Sequence, residues 1–260
     1  MSEAVLAEAR GAVHRISINR PERRNSINED VCAGIERAIA AAEADPAVRA
    51  IVLTGTGDQV FCAGGDLKPS ADGAPFTMNP ADPRHYVVKL FRRMQQCRVP
   101  LVARINGDAL AGGLGLVCAC DLAVSVDTAR FGVPETRVGL FPMMILPYMM
   151  RIIPRRRLFE MCITAELFTA AEAHALDIVN HVVPAAALDA KVDALVNTIV
   201  ERSPTAIRIG KQAFRAIEDM TIDQAFEFTQ LMLPVMAMSR DAKEGFAAFN
   251  ERRKPLWTGE

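Results

Sequence analysis

Two glycine-rich turns carry the residues whose spacing suggests chemistry. The first is Phe61-Cys62-Ala63-Gly64-Gly65-Asp66-Leu67. The second is Asn106-Gly107-Asp108-Ala109-Leu110-Ala111-Gly112-Gly113. Each follows a short apolar run of the kind that forms a buried strand. Small residues there let the main chain come close to a ligand. The second turn is placed to open a helix at Gly112 or Gly113, where free N–H groups and the positive dipole end favour developing negative charge. Two main-chain N–H groups, one from each turn, converging on one carbonyl oxygen would form an oxyanion hole without charged side chains. Either turn taken alone reads more simply as a tight connection in a packed α/β domain.

Other chemistries lack their residues. There is no H-E-x-x-H, and His14, His85, His174 and His181 are scattered, so a metal site has no support. No G-x-x-x-x-G-K-[ST] or G-x-S-x-G occurs. Gly55-Thr56-Gly57 fails the dinucleotide fingerprint because position 60 is Val. The six cysteines contain no C-x-x-C and are too sparse for a disulfide scaffold, which points to reduced, buried thiols. Trp257 reads as a packing residue.

The elements that must position the turns alternate in the first part of the chain. Ala12 to Asn19 alternates apolar and polar residues like a half-buried strand. Ser26 and Glu29 read as a capping box for a helix with Ile27, Val31, Ile35, Ala38, Ile39 and Ala42 on one face. Ala50 to Thr54 reads as a strand buried on both faces, Leu101 to Ile105 as another buried strand, Leu122 to Val126 as a further strand and Ile178 to Val183 as a later one. Tyr86 to Gln96 reads as helix, and Pro69 to Pro83 as a long, polar, Pro-rich loop. This alternation predicts an α/β class with parallel strands joined by helical crossovers. From about Ala185 only helices follow: 187–202, 205–217, 222–238 with an interruption at Pro234, and 241–253. The expected division is therefore an α/β core at 1–184 and a helical region at 185–260, whose apolar faces must be buried on the core or on another subunit.

Composition bounds the remaining classes. Half of the 260 residues are hydrophobic and the formal net charge is −1, which excludes a disordered chain. The near-neutral balance gives no overall field for nucleic acid or an anionic membrane, so neither is expected as a partner. No apolar run reaches the roughly 18 residues of a spanning helix. Met1 to Arg10 is polar and mixed in charge, unlike a signal peptide. A cytoplasmic protein is expected.

A third segment, Phe131-Gly132-Val133-Pro134-Glu135-Thr136-Arg137-Val138-Gly139-Leu140, makes the two turns specific. Together they resemble the crotonase superfamily, the enoyl-CoA hydratase/isomerase family. The resemblance begins at Asn19-Arg20-Pro21 and Asn25 and runs through 45–55, the two turns and 131–140. It reappears at 169–173 and closes at 244–255. It implies a spiral of repeated strand–strand–helix units followed by a helical trimerisation region, and a homotrimer or homohexamer. It implies an acyl-CoA substrate and no further cofactor. Its oxyanion hole falls on the N–H groups of Ala63 and Gly112. Its coenzyme A contacts fall around Ala63, Gly64, Gly65 and Asp66 and near Arg23 and Arg24, where Arg24 is a phosphate candidate; Lys68 and Lys254 are weaker ones. The Met-rich stretch 143–150 is a candidate for the acyl pocket, a subunit contact or ordinary core.

One position departs from the family. Its hydratases use two glutamates; one matches Glu135, but the other falls on Gly115. Glycine can neither hold a water through a carboxylate nor move a proton. A single base beside an oxyanion hole still suffices to move a double bond, so Glu135 is expected to act alone. It would need a pKa nearer neutrality, with Val133, Val138, Leu140 and Phe141 supplying the apolar surroundings. Three expectations follow: an isomerase-like enzyme using Glu135, a hydratase in which Asp66, Asp108 or Asp121 replaces the missing acid, or a non-catalytic acyl-CoA-binding scaffold.

Overall fold

The computed structural model describes residues 3–67 and 80–260. The segment 68–79, which includes Lys68 and most of the Pro-rich stretch read as a loop, lies outside the described residues. Ten strands and ten α-helices are described: β1 (Val5–Arg10), β2 (Val13–Ile18), α1 (Glu29–Ala44), β3 (Ala50–Gly55), β4 (Val60–Cys62), α2 (Tyr86–Gln96), β5 (Leu101–Ile105), β6 (Asp108–Leu110), α3 (Gly112–Ala119), β7 (Leu122–Val126), β8 (Arg130–Gly132), α4 (Leu146–Ile152), α5 (Arg155–Thr164), β9 (Phe168–Thr169), α6 (Ala170–Ala175), β10 (His181–Val183), α7 (Leu188–Val200), α8 (Pro204–Ile217), α9 (Ile222–Ala237) and α10 (Arg240–Glu251).

The strands form two sheets. The larger has the order β1-β2-β3-β5-β7-β10, and the smaller β4-β6-β8-β9. Within the larger sheet every pair is parallel except the β1–β2 hairpin. In the smaller sheet β4, β6 and β8 are parallel, and β9 runs antiparallel to β8. From β3 to β8 each turn of the chain sends one strand to the large sheet and the next to the small one before a helix returns it. Successive helices touch in chain order, α1 on α2, α2 on α3 and α3 on α4. This is the spiral of strand–strand–helix units that the family resemblance implied. The fully buried β3, reading AIVLTG, shows why continuous apolar runs mark its large-sheet strands.

Several local expectations are corrected. The chain before Ala12 forms β1, an edge strand with only Val5 buried, turned back by Gly11 at φ +60°. The predicted capping box at Ser26 is absent. Asn28 caps α1 by accepting the Val31 N–H at 3.0 Å, and Ser26 instead serves Arg20. The last parallel strand begins at His181 rather than Ile178. Helix α9 is not interrupted at Pro234: the residues on both sides stay helical although proline donates no hydrogen bond.

Beyond β10 every described element is a helix. Helix α7 buries Leu188, Val192 and Val196 and packs on β5 and β7. Helices α8 to α10 do not bury their apolar faces: α9 has no buried residue, and Phe214, Phe226, Leu231, Met238 and Phe249 are all more than 60% exposed. Among the described residues no helix is long and apolar enough to cross a membrane.

Candidate active site

The two glycine turns meet because their backbones are packed without room for side chains. A Cβ at Gly113 would lie 2.1 Å from the Cys62 carbonyl oxygen, and one at Gly64 would lie 3.2 Å from the Gly112 nitrogen. Two buried asparagines tie the turns down. Asn106 accepts from Thr54 Oγ1 and the Gly55 N–H and donates to the Gly57 carbonyl. Asn25, itself at φ +52°, donates to the carbonyls of Val60 and Thr56. The strained Ala111, at φ +50°, immediately precedes α3, whose first N–H groups have no partner within the helix.

The donors left free differ in part from those expected. Ala63 lines the cavity, but its N–H already donates to the Arg24 carbonyl at 3.0 Å. It therefore has no proton to offer a ligand. The neighbouring amides are engaged around Ile27, whose N–H donates to the Gly64 carbonyl and whose carbonyl accepts the Asp66 N–H. Alternation along this ladder turns the Gly65 N–H the other way. Among the described residues neither the Gly65 nor the Gly112 N–H has a partner, and both glycines line the same cavity. The Gly65 nitrogen lies 3.7 Å from the point where a Gly112 Cβ would be. The sequence had placed Gly65 only among the coenzyme A contacts; the ladder with Ile27, a long-range pairing, is what distinguishes it from Ala63.

The cavity holds about 450 Å³ and is walled mainly by hydrocarbon, within the usual range for small-molecule sites. Ile27, Val87, Leu140, Phe141, Met143 and Met144 contribute to it. Of the apolar residues expected around Glu135, Val138, Leu140 and Phe141 line the cavity, whereas Val133 is wholly buried in the core. In the Met-rich stretch Met143 and Met144 face the cavity, Met149 is core, and Met150 is exposed.

Glu135 stands on the short 3-10 turn Pro134–Val138, closed by Gly139 at φ +77°. It is the sole carboxylate among the described residues that line the cavity. Its Oε2 is buried without a hydrogen-bond partner. Burial pushes this carboxyl up from its ordinary value, with its own N–H pulling the other way. Arg137 also lines the cavity, but its guanidinium donates to the Ala165 carbonyl.

The other candidate acids are committed elsewhere. Asp66 receives Arg20 Nη2 at 2.8 Å. Asp108 takes the Arg130 N–H and faces Arg24 at 3.4 Å. Asp121 accepts from the Leu101 N–H and pairs with Lys211 and Arg215. None of the three lines the cavity. Arg24 is exposed and lies in a separate groove with Asn25, Gln59 and Asp108. Lys254 is exposed on the segment after α10, and neither it nor Arg23 lines the main cavity. The described residues include no cluster of His, Cys, Asp and Glu suited to a metal ion.

Comparison with known proteins agrees with this architecture along the whole chain. A family model described as enoyl-CoA hydratase/isomerase matches residues 8–260. The (E)-benzylidenesuccinyl-CoA hydratase of Thauera aromatica is 32% identical, with 98% of this chain and 99% of that protein covered. The short-chain-enoyl-CoA hydratase of Clostridium acetobutylicum is 31% identical, covering 96% and 95% respectively. The crystal structure of an enoyl-CoA hydratase from Mycobacterium tuberculosis superposes with a TM-score of 0.89 at 32% identity, covering 100% of each chain. A match of this extent, on a fold that brings both glycine turns to one acid, makes the chain an enzyme of the enoyl-CoA hydratase/isomerase family, within the crotonase superfamily.

Proposed function

We propose that the protein binds an enoyl-CoA thioester and moves its double bond by proton transfer at Glu135. The carrying observation is one carboxylate oxygen, Glu135 Oε2, buried without a hydrogen-bond partner and lining the same apolar cavity as two free main-chain N–H groups. In this reading the thioester oxygen accepts from the Gly65 and Gly112 N–H groups, which replaces the earlier pairing of Ala63 with Gly112. The Glu135 carboxylate removes a proton from C2 of a 3-enoyl-CoA. The C–H electron pair moves into the C1–C2 bond and onto the held oxygen. Glu135 then returns the proton at C4, the electrons flow back, and the 2-enoyl product forms with all atoms conserved. The two N–H groups act where charge develops, and each such donor is worth about 2.7–4 kcal/mol in acyl chemistry.

The apolar wall suits an uncharged acyl group, and the chemistry asks for no cofactor beyond the coenzyme A of the substrate. Arg24 is the proposed phosphate contact, which requires exchanging its half-buried Asp108 partner for phosphate. The bare apolar faces of α8 to α10 are proposed to associate with further copies of the chain as a trimer or hexamer; sedimentation of a monomer at micromolar concentration would contradict this.

Water addition to a 2-enoyl-CoA is the second reading, favoured by relatives whose names are those of hydratases. Incubation with 2-enoyl-CoA and 3-enoyl-CoA, following both reactions, separates the two. Migration without fast hydration supports the single-acid reading, and rapid hydration by the wild type defeats it. Tight acyl-CoA binding with neither reaction would support the scaffold instead.

A further inference from the structure

Position 115, where the family's second acid would stand, is filled by hydrocarbon from two other elements. A Cβ at Gly115 would sit 2.3 Å from Ile145 Cγ2, 2.8 Å from Ile145 Cβ and 3.0 Å from Phe91 Cζ. No side chain fits there as packed. Ile145 is 3% exposed, and it lines the same cavity as Glu135. Its backbone is fixed at the start of α4, where its carbonyl accepts the Tyr148 and Met149 N–H groups. Phe91 is held from the other side, its carbonyl accepting the Tyr148 hydroxyl at 2.9 Å. Helices α2, α3 and α4 thus meet around one apolar plug. An ordered water needs 2–4 polar partners, and this wall offers it hydrocarbon.

We propose that Ile145, backed by Phe91, is a specificity-determining residue that keeps water from the Gly115 face of the cavity and so favours proton transfer over hydration. The inference rests on the single-acid reading of Glu135. It differs from the bare absence of a glutamate: a carboxylate added at 115 alone meets the plug and cannot reach the cavity.

The test uses the full-length protein and four variants: Ile145→Ala, Ile145→Gly, Gly115→Glu, and the pair Gly115→Glu with Ile145→Gly. Glycine is chosen for the pair because alanine would leave the 2.8 Å contact with the residue 145 Cβ. Loss of the conjugated 2-enoyl thioester reports water addition, its appearance from 3-enoyl-CoA reports migration, and a saturated acyl-CoA of the same length reports binding. Ile145→Ala is expected to raise the ratio of water addition to migration about tenfold, the scale of small apolar changes in a pocket. The pair is expected to raise it about 100-fold or more, as a second acid–base group contributes, while Gly115→Glu alone loses acyl-CoA binding or stability without gaining hydration. Unchanged ratios in Ile145→Ala and in the pair, with acyl-CoA still bound, overturn the inference. If the pair does not fold, the ratio in Ile145→Ala decides. The wild-type ratio tests the single-acid reading and the variant-to-wild-type ratio tests the plug, so one can fail without the other.

Discussion

The contact between the two glycine turns can be tested by a pair of alanine substitutions that share one backbone penalty and differ in packing. Gly64 has φ +97°, and a Cβ there would lie 2.5 Å from Ala111 Cβ and 3.2 Å from the Gly112 nitrogen. Gly57 has φ +85° with nothing within 4 Å. Both changes force an L-residue to positive φ, at about 1–2 kcal/mol. Only Gly64→Ala adds overpacking, at about 1–3 kcal/mol. For a chain of this size each kcal/mol shifts Tm by about 2–4 °C, so Gly64→Ala melts well below Gly57→Ala at equal protein concentration. The catalytic consequence is sharper. Relief of the Gly64 clash is expected to move Ala111 and Gly112 together, and misplacing one of the proposed oxyanion donors would cost about 10²–10³ in kcat. Thermal melts and the enoyl-CoA migration assay on both variants measure these differences. A folded Gly64→Ala enzyme with kcat within about threefold of Gly57→Ala would refute the claim that this contact positions the donors.

Glu135→Gln is expected to lower migration by about 10²–10⁴-fold, the scale of acid–base catalysis, with acyl-CoA affinity nearly unchanged by titration calorimetry. Since burial raises this carboxyl and the base must be ionised, kcat/KM should fall with decreasing pH at a pH above the ordinary carboxylate value of 4.5. The folded state holds the Glu135 proton more tightly than the unfolded one. Its ionisation therefore opposes folding at neutral pH, and any stability gained by Glu135→Gln should vanish below the ordinary value. Asp121→Asn should cost about 2–4 kcal/mol in chemical denaturation by leaving the buried Lys211 ammonium poorly paired, yet leave the ratio of water addition to migration unchanged because Asp121 lies outside the cavity. Burial works to raise the Asp241 carboxyl, but the Thr258 N–H, the Ser203 hydroxyl and the Gly259 and Thr205 N–H groups together hold it down at about 2. Its stabilising contribution is thus present above the unfolded value of 3.8 and lost as pH falls through about 2. Asp241→Asn should loosen the C-terminal segment, seen as faster hydrogen exchange at Thr258 and Gly259 at neutral pH.

The long apolar strands and the amphipathic helices were legible in the sequence because their periodicity is local: Tyr86 to Gln96, Leu101 to Ile105 and Leu122 to Val126 form the elements their patterns predict. The three-residue strands β4, β6 and β8 were not, since so short a run carries no period and is defined by pairing with distant chain. The missing second acid at Gly115 and the acid at Glu135 were visible as residue types within a family pattern. Only the tertiary structure decided which amide of the first turn is free. Ala63 and Gly65 both sit in one glycine-rich segment, and the ladder to Ile27 and the bond to the Arg24 carbonyl engage one and leave the other. Likewise the sequence identifies an absent side chain at 115, but the side chain that occupies its space is 30 residues away on another element. Hydrogen-bond partners and packing neighbours are set by contacts between remote segments, and no local spacing encodes them.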